Sequence, residues 1–295
     1  MDLFIQQFIN AVSLGGVYAL LALGLAIVFS IMGMVNFAHG EIMTLGGYAM
    51  WFVTVQFGAP LPVVMGASIL TAMLAALLME RIAFRPVRGA SGATMLLTSF
   101  AVSIILQVTF QNVISPRPRG IQLPPEMSQV IPIMGVGVGL IQLTAIVTVL
   151  VSLSLITLFL RRTTLGISMR AAAQDFSVAR LMGIRADAVI AAAFAISGLL
   201  AGVAAFLWVA QRGSIEPAMG LTPVIKAFIA AVVGGLGSLP GAVLGGFVLG
   251  FIEIMLQAWL PQDALPFKDA FALTIVIAIL LWRPQGLLGK VTDRA

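Results

Sequence analysis

The chain has 295 residues, is 60% hydrophobic and only 9% charged, and carries a net charge of +5. Its mean hydropathy is +1.11. A soluble chain carries about 25% charged residues, so this one cannot cover a water-facing surface, and one membrane domain spanning residues 1–295 is expected. The absence of cysteine excludes disulfide and thiolate chemistry, and one histidine is too few for a zinc site.

The first apolar stretch runs from Leu3 to Ala38 without a charge. It exceeds the ~20 residues of one transmembrane helix, so more than one span is expected in it. No basic region precedes it, so it reads as a retained helix rather than a cleaved signal. Gly15, Gly16, Gly24 and Gly33 point to close helix packing or a break. Asn36 to Glu41, with His39 between them, form a polar knot. Ile42 to Phe57, with Gly46 and Gly47 inside it, is short for a span. The next spans are expected at Leu61–Met79 and Ala93–Ile114, separated by a basic loop with Arg81, Arg85 and Arg88. Residues 115–132, rich in proline, read as a loop with a short interfacial helix.

Val138 to Leu160 is a clear span closed by Arg161 and Arg162. Residues 167–182 then show helical periodicity, with Met169, Ala172, Phe176, Ala179 and Met182 on one face and Arg170, Gln174 and Ser177 on another. Gly183 is placed to end that helix in a left-handed cap, with Ile184 making the accompanying apolar contact. Ala188–Val209 spans again, and Arg212–Pro223 is a loop. Val224–Val233 is too short to cross and reads as a half-helix, followed by a non-helical turn, 234–241, and a full helix to Trp259. Phe271–Trp282 completes a bundle of about eight spans. Short Gly-interrupted segments near Gly46-Gly47 and Gly234-Gly235 point to an internal repeat and a central path.

Eleven of the 16 basic residues lie in 81–88, 161–185 and 283–294, which places these segments in the cytoplasm and the loops 115–132 and 212–223 outside. The N-terminus is expected outside. The helix at 167–182 is then cytoplasmic; by its residues it lies either in a partner's groove or on lipid headgroups. His39 reads either as a helix-end residue bonded to backbone or as part of the path, beside Asn36 and Glu41. Lys226 and Glu253 are costly in a membrane. They read as a buried pair or path contacts, and Lys226 alternatively snorkels to the outer interface. The glycine string lacks the GK[ST] ending of a phosphate loop, so this chain is expected to bind no ATP. With no nucleophile elbow and no metal cluster, an enzyme is not expected. Nor is nucleic-acid binding, because no recognition motif is present.

Several strings in order resemble a known family. Val35-Asn36-Phe37-Ala38-His39-Gly40-Glu41 with Leu45-Gly46-Gly47-Tyr48 is similar to the amino-terminal signature of permeases of high-affinity branched-chain amino acid ABC importers. Glu80 to Gly89, Lys226-Ala227-Phe228 with Ala230 to Ala242, and Arg283-Pro284-Gln285-Gly286-Leu287-Leu288-Gly289 resemble the family's later signatures. The resemblance covers nearly the whole chain and is closer to the smaller of the two permeases. It implies an all-α, polytopic bundle in a bacterial inner membrane. It also implies a second homologous permease, two cytoplasmic ATPases that bind ATP and Mg, and a periplasmic solute-binding protein. The family carries branched-chain and related amino acids, amides or urea. The resemblance makes 167–182 the ATPase-coupling helix, with Arg170, Asp175, Phe176, Arg180, Leu181 and Gly183 as its working residues. The path or helix breaks are expected at Asn36, His39, Glu41, Gly46, Gly47, Lys226, Gly234, Gly235 and Glu253. The alternative is a secondary transporter driven by an ion gradient, with Glu41 and Glu253 as coupling carboxylates.

Overall fold

The computed structural model describes residues 2–121, 124, 127, 129–133 and 136–289. Lys290 and Arg294, two of the charges used to orient the chain, lie outside the described residues. The order is α1 (Asp2–Met32), α2 (His39–Phe57), α3 (Leu61–Met79), α4 (Gly92–Val113), β1 (Arg119–Gly120), β2 (Val130–Ile133), β3 (Val136–Gly139), α5 (Leu140–Arg162), α6 (Thr164–Gln174), α7 (Phe176–Leu181), α8 (Ala186–Arg212), β4 (Ser214–Ile215), α9 (Leu221–Gly234), α10 (Leu239–Trp259) and α11 (Lys268–Trp282). Among the described residues, seven helices are long and apolar enough to cross a membrane, and α9 is a shorter apolar one.

Leu3–Ala38 holds one span, not more. It forms the single helix α1, which ends where Gly33 takes a left-handed φ of +66°. Residues 34–38 are not helical, and α2 starts afresh at His39. The helix of α3 does not stop at Glu80 as expected. It continues through a π turn, Glu80–Phe84, and a 3₁₀ turn, Arg85–Val87. An antiparallel hairpin, β2–β3, precedes α5; the short helix expected within 115–132 falls partly outside the described residues. β1 pairs with β4, so the loops after α4 and α8 lie at one end of the bundle.

The packing has an inverted symmetry. α1 packs along α10, and α8 packs along α3. α2 lies on α3 and crosses α8, as α9 lies on α10 and crosses α1. The triplet α1–α2–α3 therefore has a counterpart of opposite direction in α8–α9–α10. Small residues let the backbones of each pair approach. A Cβ on Gly15 of α1 would lie 2.9 Å from Phe247 Cα of α10, and one on Gly202 of α8 would lie 2.6 Å from Ile69 Cα of α3. In lipid no hydrophobic force draws helices together, so such contact supplies the dispersion that does.

Candidate functional site

The two broken segments meet inside the bundle. α2 extends ~28 Å from His39 to Phe57, and α9 ~21 Å from Leu221 to Gly234. Their N-termini are back to back: a Cβ on Gly40 would lie 2.5 Å from Gly220 O, and the Gly220 N–H donates to Thr44 Oγ1 at 3.1 Å. Non-helical backbone at membrane depth needs protein partners. Here the Gly220 N–H uses Thr44 of α2, and the Phe37 N–H uses Ser99 of α4.

Gly40 and Gly220 mark the junction; of the two expected breaks, Gly234-Gly235 ends the short helix α9 as read, and Gly46-Gly47 breaks nothing. Gly46 and Gly47 sit within unbroken α2, where a Cβ would press on Ser68 and on Met219. Gly234 and Gly235 end α9. Gly235 has φ +108°, and the next residues of the turn, 236–240, line one cavity of about 680 Å³ with Arg170, Gln174 and Leu288. The terminal segment closes this end: the Leu287 N–H donates to Val233 O (2.8 Å) and the Leu288 N–H to Gly234 O (3.0 Å).

Polar side chains surround the start of α2. Asn36 is buried, its Nδ2 3.8 Å from Met79 Sδ. His39 is fully buried, and its Nδ1 lies 3.1 Å from Ser197 Oγ of α8, so it ties two helices together instead of capping backbone. Glu41 Oε1 accepts from Ser103 Oγ (3.1 Å) and Gln107 Nε2 (2.7 Å) of α4. Ser99 of the same helix accepts from the Phe37 N–H at 3.4 Å. Ser99, Ser103 and Gln107 form a polar stripe on the buried face of α4 that the sequence reading missed. Their spacing of four residues within an apolar span was the signal.

Lys226 and Glu253 are paired. Lys226 Nζ lies 2.8 Å from Glu253 Oε1 and 3.2 Å from Asp269 Oδ1, and Tyr18 OH donates to Glu253 Oε2 at 3.1 Å. The lysine side chain is 16% exposed. Snorkelling is thus replaced by a buried ion pair, because α9 turns this residue towards α10 and α11.

The element at 167–182 is two helices where one was expected. Asp175 is extended (φ −151°, ψ 107°) and its carboxylate accepts from the N–H groups of Ser177 and Val178, both at 2.9 Å. A side chain that caps a new helix interrupts the old one. Met169, Ala172 and Ala179 are buried as expected, Phe176 is half-buried, and Met182 is 79% exposed. Arg170 Nε donates to Leu160 O at the end of α5 (3.0 Å). Gly183 has φ +84°, and the Ile184 N–H donates to Ala179 O (3.1 Å), completing the expected cap. Arg180 is exposed, and Leu181 is 86% exposed. Beside this element Arg88 binds both Glu80 and Asp187, and Arg85 binds Asp187 at 2.9 Å.

A family model described as branched-chain amino acid transport system / permease component matches residues 7–280. The high-affinity branched-chain amino acid transport system permease protein BraD of Pseudomonas aeruginosa is 36% identical, over 97% of this chain and 96% of that one. The protein LivH of Escherichia coli K12, described in the same words, is 34% identical over 97% and 96%. Among solved structures, PsaBC from Streptococcus pneumoniae in complex with Fab has a TM-score of 0.53 at 13% identity, over 97% of this chain and 93% of that one. That likeness speaks for the fold alone.

Proposed function

Because the chain belongs to the permease family of branched-chain amino acid transport systems, we propose that it carries branched-chain amino acids through the junction of α2 and α9. It is a multi-pass membrane permease of an ABC importer, and not itself an enzyme. In the proposed assembly it pairs with a second, homologous permease. Two cytoplasmic ATPases bind ATP and Mg below the pair, and a solute-binding protein delivers the amino acid from outside. ATP binding shifts α6–α7, and the two inverted halves rock about their crossing.

One observation supports the coupling role most. Leu181 and Met182 expose 86% and 79% of their surface at the tip of a helix rigidly capped by Asp175 and Gly183. An apolar tip turned away from its own chain suits a groove of another protein. Arg170, Asp175, Phe176 and Arg180 hold and flank that tip. The working substitution is Leu181→Asp, since Leu181 has little packing within its own chain to lose. The expected result is loss of ATPase co-purification with the permease, while the permease keeps its elution position and thermal midpoint. Unchanged co-purification and ATP-driven leucine uptake by L181D would remove α7 from the coupling role.

A further inference from the structure

Three carboxylates are buried among the described residues: Glu41, Glu80 and Glu253, at 1%, 5% and 3% exposure. Two have a cation. Glu80 is bonded to Arg88 and Glu253 to Lys226. Glu41 has none among the described residues. Both of its hydrogen bonds, from Ser103 and Gln107, arrive at Oε1; Oε2 is buried and accepts from no described residue. Neutral donors hold the carboxyl in place without cancelling its charge. An uncompensated carboxylate at membrane depth is costly, and a bundle that retains one has a use for negative charge at that point.

The position favours a use in transport. Glu41 follows Gly40, which makes the crossing with Gly220. It is covered by α4, and the cover is thin. α4 meets α2 through Glu41 and through Tyr48 against Phe110 (5.6 Å between centroids), and the segment before α2 through Phe37 stacked on Phe100 (4.5 Å). The opposite face of α4, with Leu97, Ile104, Ile105 and Val108, is exposed. Displacing α4 uncovers Glu41 and leaves the α1–α10 and α3–α8 contacts intact.

We propose that Glu41 is the counter-charge for the ammonium group of the amino acid as it passes the junction. This rests on the importer reading above and assigns its solute a zwitterionic class. An ammonium brings one positive charge and three N–H donors, and Oε2 with the Ser103 hydroxyl supplies acceptors. A metal ion fits the site less well. It takes six or more oxygen ligands when hard and four ligands when it is zinc, and no group of three His, Cys, Asp or Glu is present among the described residues. The attraction needs no high affinity, because a path must release what it binds.

The test uses the complete importer, with its second permease, ATPases and receptor, in proteoliposomes. ATP-driven uptake of radiolabelled leucine and of urea is measured per assembled complex. Glu41→Gln keeps the shape and the partners of the side chain, so removal of the charge is its main effect. The expected result is leucine uptake reduced about ten-fold or more in E41Q. Glu41→Asp, which keeps the charge but shortens the reach, retains more uptake than E41Q. A structural role predicts the reverse order, because Gln still reaches Ser103 and Gln107 and Asp does not. The proposal is overturned, with the importer reading intact, if E41Q carries leucine within about two-fold of wild type, if E41Q exceeds E41D, or if the wild-type complex carries urea and not leucine. A wild-type complex whose uptake of both is independent of ATP overturns the importer reading and the proposal together.

Discussion

Replacing Gly40 with alanine tests the helix junction. Gly220 has φ −79° and ψ −19°, and Gly40 lies in the first turn of α2, so both positions tolerate a side chain by backbone conformation alone. The obstacle is contact. A Cβ on Gly40 would fall 2.5 Å from Gly220 O and 3.1 Å from Val224 Cγ1. An ordinary carbon–oxygen contact is about 3.3 Å, so the two half-helices must separate by roughly 0.8 Å. Overpacking of this size costs about 1–3 kcal/mol. Gly220→Ala is expected to cost more. Its Cβ falls on Gly40 O and 2.8 Å from Thr44 Oγ1, and its accommodation breaks the Gly220–Thr44 hydrogen bond, which contributes about a further 1 kcal/mol. Thr44→Val removes this bond and the one that Thr44 Oγ1 donates to Gly40 O, but adds nothing to the crossing, so it separates lost hydrogen bonding from overpacking. The unfolding midpoint of the solubilised permease, followed by tryptophan fluorescence in a denaturing-detergent titration, should rank wild type above T44V and G40A, with G220A lowest. A G220A protein as stable as G40A, or within about 0.5 kcal/mol of wild type, would refute the reading of this crossing as a close backbone contact.

Lys226→Met strands Glu253 beside Tyr18 and is expected to cost about 3–5 kcal/mol, whereas Lys226→Met with Glu253→Gln recovers most of it; additive single and double losses in the same titration would contradict the pair. Arg88→Ala orphans the buried Glu80 and should cost about 3 kcal/mol, but Arg85→Ala under about 1 kcal/mol, because its partner Asp187 is exposed. Asp175→Ala removes a helix cap worth about 1 kcal/mol and should raise amide exchange at residues 176–181 without moving the global midpoint. Protection unchanged there would show that α7 is held by packing instead.

What could be read from the sequence depended on how local the cause was. Hydropathy located the helices that face lipid on at least one side, such as α5, because a transmembrane span is a property of about 20 consecutive residues. The Gly183 cap was legible for the same reason. The break at Asp175 was written in the chain as a capping residue two places before Ser177, but the longer apolar periodicity outweighed it. Gly46-Gly47 was read as a break because Gly-Gly pairs are conspicuous, and the break at Gly234-Gly235 was legible in the same way. Gly40 and Gly220 matter through one another, across 180 residues, and nothing local marks that. The pairing of Lys226 with Glu253 was one of three readings, and only the turn of α9 relative to α10 decides it. The α4 stripe was overlooked because serine is unremarkable in an apolar helix until it faces a carboxylate.

The inverted packing of α1 and α2 against α8, α9 and α10 bears on how the chain is made. The partner of α1 is α10, which is complete only at Trp259, roughly 230 residues after α1 leaves the ribosome. At ~5–20 residues per second this delay is about 10–45 s. Within that interval His39 waits for Ser197, Gly40 for Gly220, and Tyr18 longest, for Glu253. The first third of the protein therefore waits in the bilayer, or beside the insertion machinery, with polar groups that its own later synthesis must satisfy. A pause in translation between α3 and α8 prolongs that exposure, and a stall before α10 yields a product whose first span rests on α8 and α9 but lacks α10.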